Sequence, residues 1–194
     1  PVIGGIAHPS SGVAAAHILS ASTNASFRAV NRLLDAGARI NRVPTEMVIE
    51  GDTFSPGTYV IEGSRVITDC VKQLTQELSL EFTAVSALPS SLSGPLRQPR
   101  VGLYKSWVPT AEEGWARWVF EEYEAPYTTI VDKDIRGGHL NEAFDVIVLP
   151  HQPAVQMMQG NSIKDYPAQY AGGIGERGSG NLRSFVENGG TVVA

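Results

Sequence analysis

Cysteine is almost absent: Cys70 is the only one among 194 residues. A disulfide within the chain is therefore excluded, and so is a zinc site built from several cysteines. Basic residues are outnumbered, 15 Lys and Arg against 20 Asp and Glu, for a net charge of -5. That balance argues against a nucleic-acid partner, because phosphate binding needs clustered Lys and Arg. The deficit lies in the second half: residues 1–99 hold 7 basic and 8 acidic groups, residues 100–194 hold 8 and 12. No run of about 18 apolar residues occurs, so no segment reads as a membrane span.

Catalytic signatures are also scarce. The four histidines, His8, His17, His139 and His151, never stand in H-E-x-x-H spacing, and no metal site is expected from this chain. No G-x-S-x-G elbow is present to carry a hydrolase serine. Cys70 falls beside Ile67 and Val71 on the inward face of a predicted helix. An apolar setting there suppresses its thiolate, so a core role is expected. Gly173, Gly175 and Gly178 spell G-x-G-x-x-G. A dinucleotide fingerprint has to follow a strand directly, and a long polar stretch precedes these glycines. They read as a flexible loop entering a helix that starts near Ser179. No catalytic residue and no cofactor is assigned to the chain.

What is present is an ordinary globular composition, 42% hydrophobic and 18% charged. A short strand is expected over Val13–Leu19. The first helix spans residues 24–37, with Asn24 as N-cap, Phe27, Val30, Leu33 and Leu34 on one face, and Gly37 closing it. Residues 38–43 read as a strand, and 46–63 as two strands joined by a Gly/Asp/Pro turn. Residues 64–78 form a second helix, with Ser64 as cap and Ile67, Cys70, Val71 and Leu74 inward. Residues 81–87 make another strand. A Ser/Pro/Gly-rich linker, "LPSSLSGPLRQP", follows and sets a boundary near residue 97. The expected domains are thus a small α/β subdomain with a β-hairpin over 1–97 and a doubly wound domain over 98–194.

The second half alternates: strand 100–104, helix 110–125 capped by Thr110, strand 127–132, a short turn or helix at 133–140, strand 144–150, helix 180–190 and strand 191–194. Strands alternating with helices imply right-handed crossovers and a parallel sheet. The simplest order for four such strands is 2-1-3-4, the flavodoxin-like arrangement, which places ligands at the C-terminal strand ends where the order reverses. The residues just past those ends are Lys105, Ser106, Trp107, His151 and Gln152. Of these, Lys105, Trp107, His151 and Gln152 are the candidate pocket residues. Trp107 would supply an apolar wall and Lys105 and His151 polar contacts around one shared hollow. Equally, Trp107 could lie as a lid on the sheet and His151 bond the loop backbone.

Several phrases together carry a family likeness: "TNASFRAVNRLLDAGARINRV", "FSPGTYVI", "PRVGLYKSWVPTAEEGWARWVFEEY", "DIRGGHLNEAFDVIVLP", "YAGGIGERG" and "LRSFVENGGTVVA". Over roughly residues 20–194 the chain resembles the C-terminal region of bacterial zinc carboxypeptidase (carboxypeptidase A-like) family proteins. There a small α/β region and a class I glutamine amidotransferase-like domain follow a metallocarboxypeptidase domain. "GLYKSWVPTAEEGWARW" is the most specific piece. The resemblance implies a secreted or periplasmic protein whose zinc ligands and catalytic glutamate belong to an N-terminal peptidase domain of the same polypeptide. It also implies an amidotransferase-like sheet that is truncated at its C-terminus, since the chain stops inside the apolar run "TVVA", ahead of the position of an amidotransferase nucleophile. The expected function is a non-catalytic accessory segment, structural or ligand-binding. The alternative is a small-molecule enzyme of the glutamine amidotransferase-like superfamily whose nucleophile lies outside this chain. A third reading is an assembly module that forms a homo-oligomer through exposed sheet edges.

Overall fold

Burial on both faces of short strands organises this chain. The computed structural model describes residues 6–7 and 14–194; His8 and Val13 lie outside the described residues. Two compact units emerge, Pro1–Gln98 and Pro99–Ala194.

The first unit contains β1 (Ile6–Ala7), β2 (Ala16–Leu19), α1 (Asn24–Asp35), β3 (Ile40–Arg42), β4 (Met47–Ile49), β5 (Asp52–Phe54), β6 (Tyr59–Glu62), α2 (Arg65–Leu78) and β7 (Phe82–Val85). Five strands form one sheet in the order β1-β7-β2-β6-β3, parallel at β1–β7 and antiparallel elsewhere. Successive side chains of a strand point to opposite faces, and here both faces are covered. Leu19, Tyr59, Ile61 and Phe82 pack against Ala29, Val30 and Leu33 of α1 and Ile67, Val71 and Leu74 of α2. Ala16, Ile18, Val60 and Val85 pack on the other face with Ile49, Met47 and Phe54 of the hairpin β4–β5. His17 is buried in this sheet, with Nε2 3.2 Å from Thr68 Oγ1.

Four local expectations change. Residues 46–63 form three strands rather than two. Glu50 and Gly51, with φ of 51° and 97°, make the tight two-residue turn that such a hairpin requires, and β6 then joins the larger sheet. The Glu50 carboxylate accepts from Ser86 N at 2.6 Å and Ser86 Oγ at 2.5 Å. These bonds hold its carboxyl below the usual carboxylate range and secure a non-glycine residue in left-handed backbone. Helix α1 is entered through Thr23, not Asn24; Thr23 O accepts from Ser26 N, and its hydroxyl meets Ser26 Oγ at 2.9 Å. The buried stripe of α1 is Ser26, Ala29, Val30 and Leu33, leaving Phe27 46% exposed. The Ser/Pro/Gly-rich linker is docked along β3: Ser93 N donates to Arg42 O and Leu96 N to Ile40 O.

Other signals hold. Gly37, at φ 80°, closes α1 while Ala38 N donates to Leu33 O, as in a Schellman motif. Ser64 Oγ accepts from Ile67 N at 3.2 Å, and Cys70 is half-buried against the helix-side core.

The second unit contains β8 (Val101–Tyr104), α3 (Ala111–Glu122), β9 (Thr128–Ile130), α4 (Asp132–Gly137), α5 (Leu140–Ala143), β10 (Val146–Val148), α6 (Ala154–Gln159), a 3-10 turn (Ala168–Tyr170), α7 (Gly175–Glu187) and β11 (Thr191–Val193). Its four strands are all parallel, in the order β9-β8-β10-β11, the 2-1-3-4 order. Helices flank both faces. On one, Tyr104, Ile130 and Ile147 pack with Ile135, Leu140, Ile174 and Phe185 from α4, α5 and the α7 region. Thr129 alternates with Ile130 and so faces the other side, where Arg117 of α3 reaches its hydroxyl at 3.4 Å. Among the described residues, no helix is long and apolar enough to cross a membrane.

Ser64→Ala is expected to lower the stability of the first unit by about 1 kcal/mol. Asn24→Ala should stay within about 0.5 kcal/mol of the parent. Denaturant unfolding followed by far-UV circular dichroism measures both. An equal loss for the two would show that Asn24 caps α1.

Candidate functional site

In a doubly wound sheet the gap opens between neighbouring strands whose connections leave on opposite faces. Here those strands are β8 and β10. Three polar side chains meet below that gap: Tyr104, the last residue of β8; Asp132, the first of α4 after β9; and Gln152, four residues beyond β10. Tyr104 and Asp132 are each 1% exposed. Tyr104 Oη donates to Asp132 Oδ1 at 2.5 Å, and the Gln152 side chain bears on the same hydroxyl, holding its pKa down. Burial, with the Asp132 carboxyl beside it, drives the Tyr104 hydroxyl well above its ordinary pKa. Burial also raises Asp132, opposed by the Tyr104 hydrogen bond and the Arg136 charge. Asp132 Oδ2 and Gln152 Oε1 are both shielded and have no hydrogen-bond partner among the described residues.

Arg136, one turn along α4 from Asp132, donates through Nη1 to Gly173 O. That anchor belongs to a tightly joined loop system. Gly172 N donates to Asn161 O at 2.8 Å and Ile174 N to Met157 O at 2.9 Å. The glycines of "GGIGERG" have packing reasons. A Cβ on Gly173 would stand 2.2 Å from Met157 O, and one on Gly178 would stand 2.7 Å from Ile174 Cβ. Gly175 takes φ 59° and begins α7. The helix starts at Gly175 rather than near Ser179, with Gly175 and Gly178 in its first turns and Gly173 just ahead of its N-cap. Asn181 of α7 then donates to Ile135 O and Arg136 O at the end of α4.

Of the residues singled out in the sequence, Gln152 is the one brought to this buried cluster. Lys105 is exposed, and its backbone N–H continues the ladder to Ile130 O at 2.8 Å. Ser106 is buried, its hydroxyl donating to Val108 O at 2.6 Å. Trp107 is half-buried and meets the Tyr170 ring edge-on at 4.7 Å between centroids. His151 is exposed. Tyr104, Asp132 and Arg136 were not singled out. Their signal lay in a tyrosine ending one apolar strand and an aspartate following another.

His139 and Glu142 stand in H-x-x-E spacing, contrary to the expectation that no histidine takes a zinc-motif spacing. They pair with each other, Nδ1 to Oε1 at 3.0 Å, and both are exposed. No third His, Cys, Asp or Glu joins them in a metal-holding group among the described residues. They border hollows of about 680 and 230 Å³ beside β9 and α5. Lys105, Trp107, His151 and Gln152 line neither of those two.

No family model, no curated protein and no solved structure matches this chain.

Gly160 occupies φ 59° and ψ -149°, a combination restricted to glycine. A Cβ there would fall 1.9 Å from Gly172 O. Gly160→Ala is expected to cost about 2 kcal/mol or more, whereas Lys105→Ala and His151→Ala should each stay within about 0.5 kcal/mol. Tyr104→Phe removes the one donor to Asp132 Oδ1 and should cost about 1–3 kcal/mol. All three tryptophans, Trp107, Trp115 and Trp118, lie in the second unit, so tryptophan fluorescence during denaturation reads these changes.

Proposed function

We propose that this chain is a non-catalytic accessory segment of a zinc carboxypeptidase-like protein, secreted or periplasmic. In this reading the second unit is a flavodoxin-like domain of the class I glutamine amidotransferase-like kind. Its role is to brace a peptidase domain of the same polypeptide, which holds the zinc, and to offer a small crevice at its strand ends. The strand order β9-β8-β10-β11 is the observation that carries the reading. It puts the outgoing loops of β8 and β10, with Lys105, Trp107 and His151, on either side of the reversal point.

The chemistry of the buried cluster supports a supporting role over a reactive one. Tyr104 and Asp132 are sealed, and a general acid or base has to reach the proton it moves. A net charge of -4 over residues 100–194 favours a neutral or cationic guest, while a single Lys105 could still hold one carboxylate.

The purified chain, supplied with zinc and a peptide bearing a free C-terminus, is expected to release no C-terminal residue. Amino-acid analysis of the reaction is the readout, and zinc-dependent release would overturn the reading. The same assay tests the His139–Glu142 pair, because a working site there would require zinc.

A further inference from the structure

Helix α3 has two sides of different character. One meets the sheet: Arg117 reaches the Thr129 hydroxyl, and the Phe120 ring meets Tyr127 at 5.4 Å between centroids. Trp115, Trp118 and Val119 share a different side, since helix positions three and four apart are neighbours. They are 67%, 54% and 46% exposed. The two indole rings stand edge to face, 6.2 Å between centroids and 85° between planes. Single apolar residues in water are ordinary on a protein surface, but a contiguous group marks a place of interaction. Tryptophan in particular carries a large share of binding energy where proteins meet.

The charges around this patch are mostly of one sign. Helix α3 holds Glu112, Glu113, Glu121 and Glu122 against the single Arg117, which is paired with Glu113. Glu112 stands three residues before Trp115, and Glu122 stands four after Trp118 and three after Val119. Both glutamates are exposed and in line with the patch. They lie about 15 Å apart along the helix axis. An apolar strip is thus closed at each end by a carboxylate.

We propose that this side of α3 is a docking surface for a basic amphipathic helix of a partner protein. The partner's apolar stripe lies over Trp115, Trp118 and Val119, and a Lys or Arg at each end of the stripe meets Glu112 and Glu122. Two helices laid side by side have the same rise per residue, so the matching charges stay in register along the strip. The corner between perpendicular rings suits a Lys or Arg side chain, whose stem packs on apolar surface while its cation faces an aromatic ring. The same features turn away other occupants. A twofold contact between two copies of α3 would set four glutamates and one arginine against an identical set, like charge against like. An anionic membrane surface attracts basic helices and repels an acidic one. A flat sugar face stacks on rings that share a plane, and these stand at 85°. The surface does not depend on the accessory reading, and its test uses neither zinc nor peptidase activity.

The test uses the intact chain and a synthetic helical peptide free of tryptophan, with leucines along one face and a lysine at each end of that stripe. A twin peptide carries glutamate in place of lysine. Anisotropy of the labelled peptides measures binding, and the tryptophan emission of the chain reports burial of the patch. The lysine peptide is expected to bind about tenfold more tightly than its twin and to weaken as salt rises. Replacing both Trp115→Ala and Trp118→Ala should lower its affinity about tenfold or more. Replacing both Glu112→Gln and Glu122→Gln should remove most of the preference between the peptides. All four side chains are exposed, so the denaturation midpoints of both variants should stay near the parent's. Absence of binding by the lysine peptide overturns the proposal. So does equal binding of the two peptides, or binding that survives the loss of both tryptophans. Sedimentation as a dimer that the tryptophan variant dissolves would give the face to a second copy. Tryptophan-dependent binding to phosphatidylserine vesicles would give it to a membrane. Either result also overturns the proposal.

Discussion

The second unit depends on keeping a polar group inside an apolar sheet end. Tyr104 belongs to the core formed with Ile130, Ile135, Ile147 and Phe185, yet its hydroxyl has to be satisfied there. Asp132 satisfies it, and Asp132 can be buried because it opens α4 directly after β9. A charged or polar group so placed costs several kcal/mol unless it is hydrogen-bonded. The choice of partner therefore constrains the ends of β8 and β9 at once. Arg136, on the same short helix, passes the constraint on to Gly173, and the 172–174 segment to the end of α6.

The opposite end of the sheet is fixed by a different device. Arg100, just before β8, donates from its backbone N to Asp145 Oδ2 at 2.9 Å, and from Nη2 to Asp145 Oδ1 at 2.9 Å. Asp145 stands just before β10, so one bidentate pair sets the register of two adjacent strands where they begin. The Arg100 side chain is about half exposed and the Asp145 side chain 19% exposed, so solvent reduces what the pair adds to stability. Its value is geometric, because a planar guanidinium and a carboxylate accept one arrangement. The buried Tyr104–Asp132 bond thus ties the end of β8 to the residue after β9, while the Arg100–Asp145 pair ties the start of β8 to the start of β10.

Much of this was legible along the chain, and the failures have physical causes. The four parallel strands, their order and the caps at Ser64 and Thr110 rest on local patterns that tertiary contacts did not override. Thr110 Oγ1 accepts from Glu113 N at 3.3 Å, as its position before an acidic first turn suggests. Around α1 the sequence "STNASF" offers several residues able to cap, and the chain uses the one before Asn24. Phe27 fits an apolar stripe on spacing alone, but close packing on the sheet selects the smaller Ser26 and Ala29. The turn at Glu50–Gly51 is hidden because glutamate rarely takes positive φ, and the bonds to Ser86 that secure it come from 36 residues away. Helix α6 and the Tyr104–Asp132–Gln152 cluster left no local signature. The cluster forms only once β8, β9 and β10 lie side by side, which is a property of the assembled sheet.

The two faces of that sheet are held unequally. The face with Tyr104 and Ile147 is closed by α4, α5, α6 and α7. Helix α3 has no fully buried residue, and it turns Trp115 and Trp118 outward at 67% and 54% exposure. Its attachment combines a ring contact of Phe120 with Tyr127, 5.4 Å between centroids, with polar bonds. Arg117 binds Glu113 within the helix and reaches the Tyr127 hydroxyl at 2.9 Å and Thr129. Fewer apolar contacts and more exposed hydrogen bonds mark the part of a fold that opens at lowest cost. Local opening is therefore cheaper at α3 than at the buried strand ends. Motion there need not disturb the loop that follows β8, because Lys105 continues the ladder to Ile130 and Ser106 is fixed to Val108. The outgoing loop of β8 is thus held at the strand ends by hydrogen bonds of its own, independent of those that attach α3.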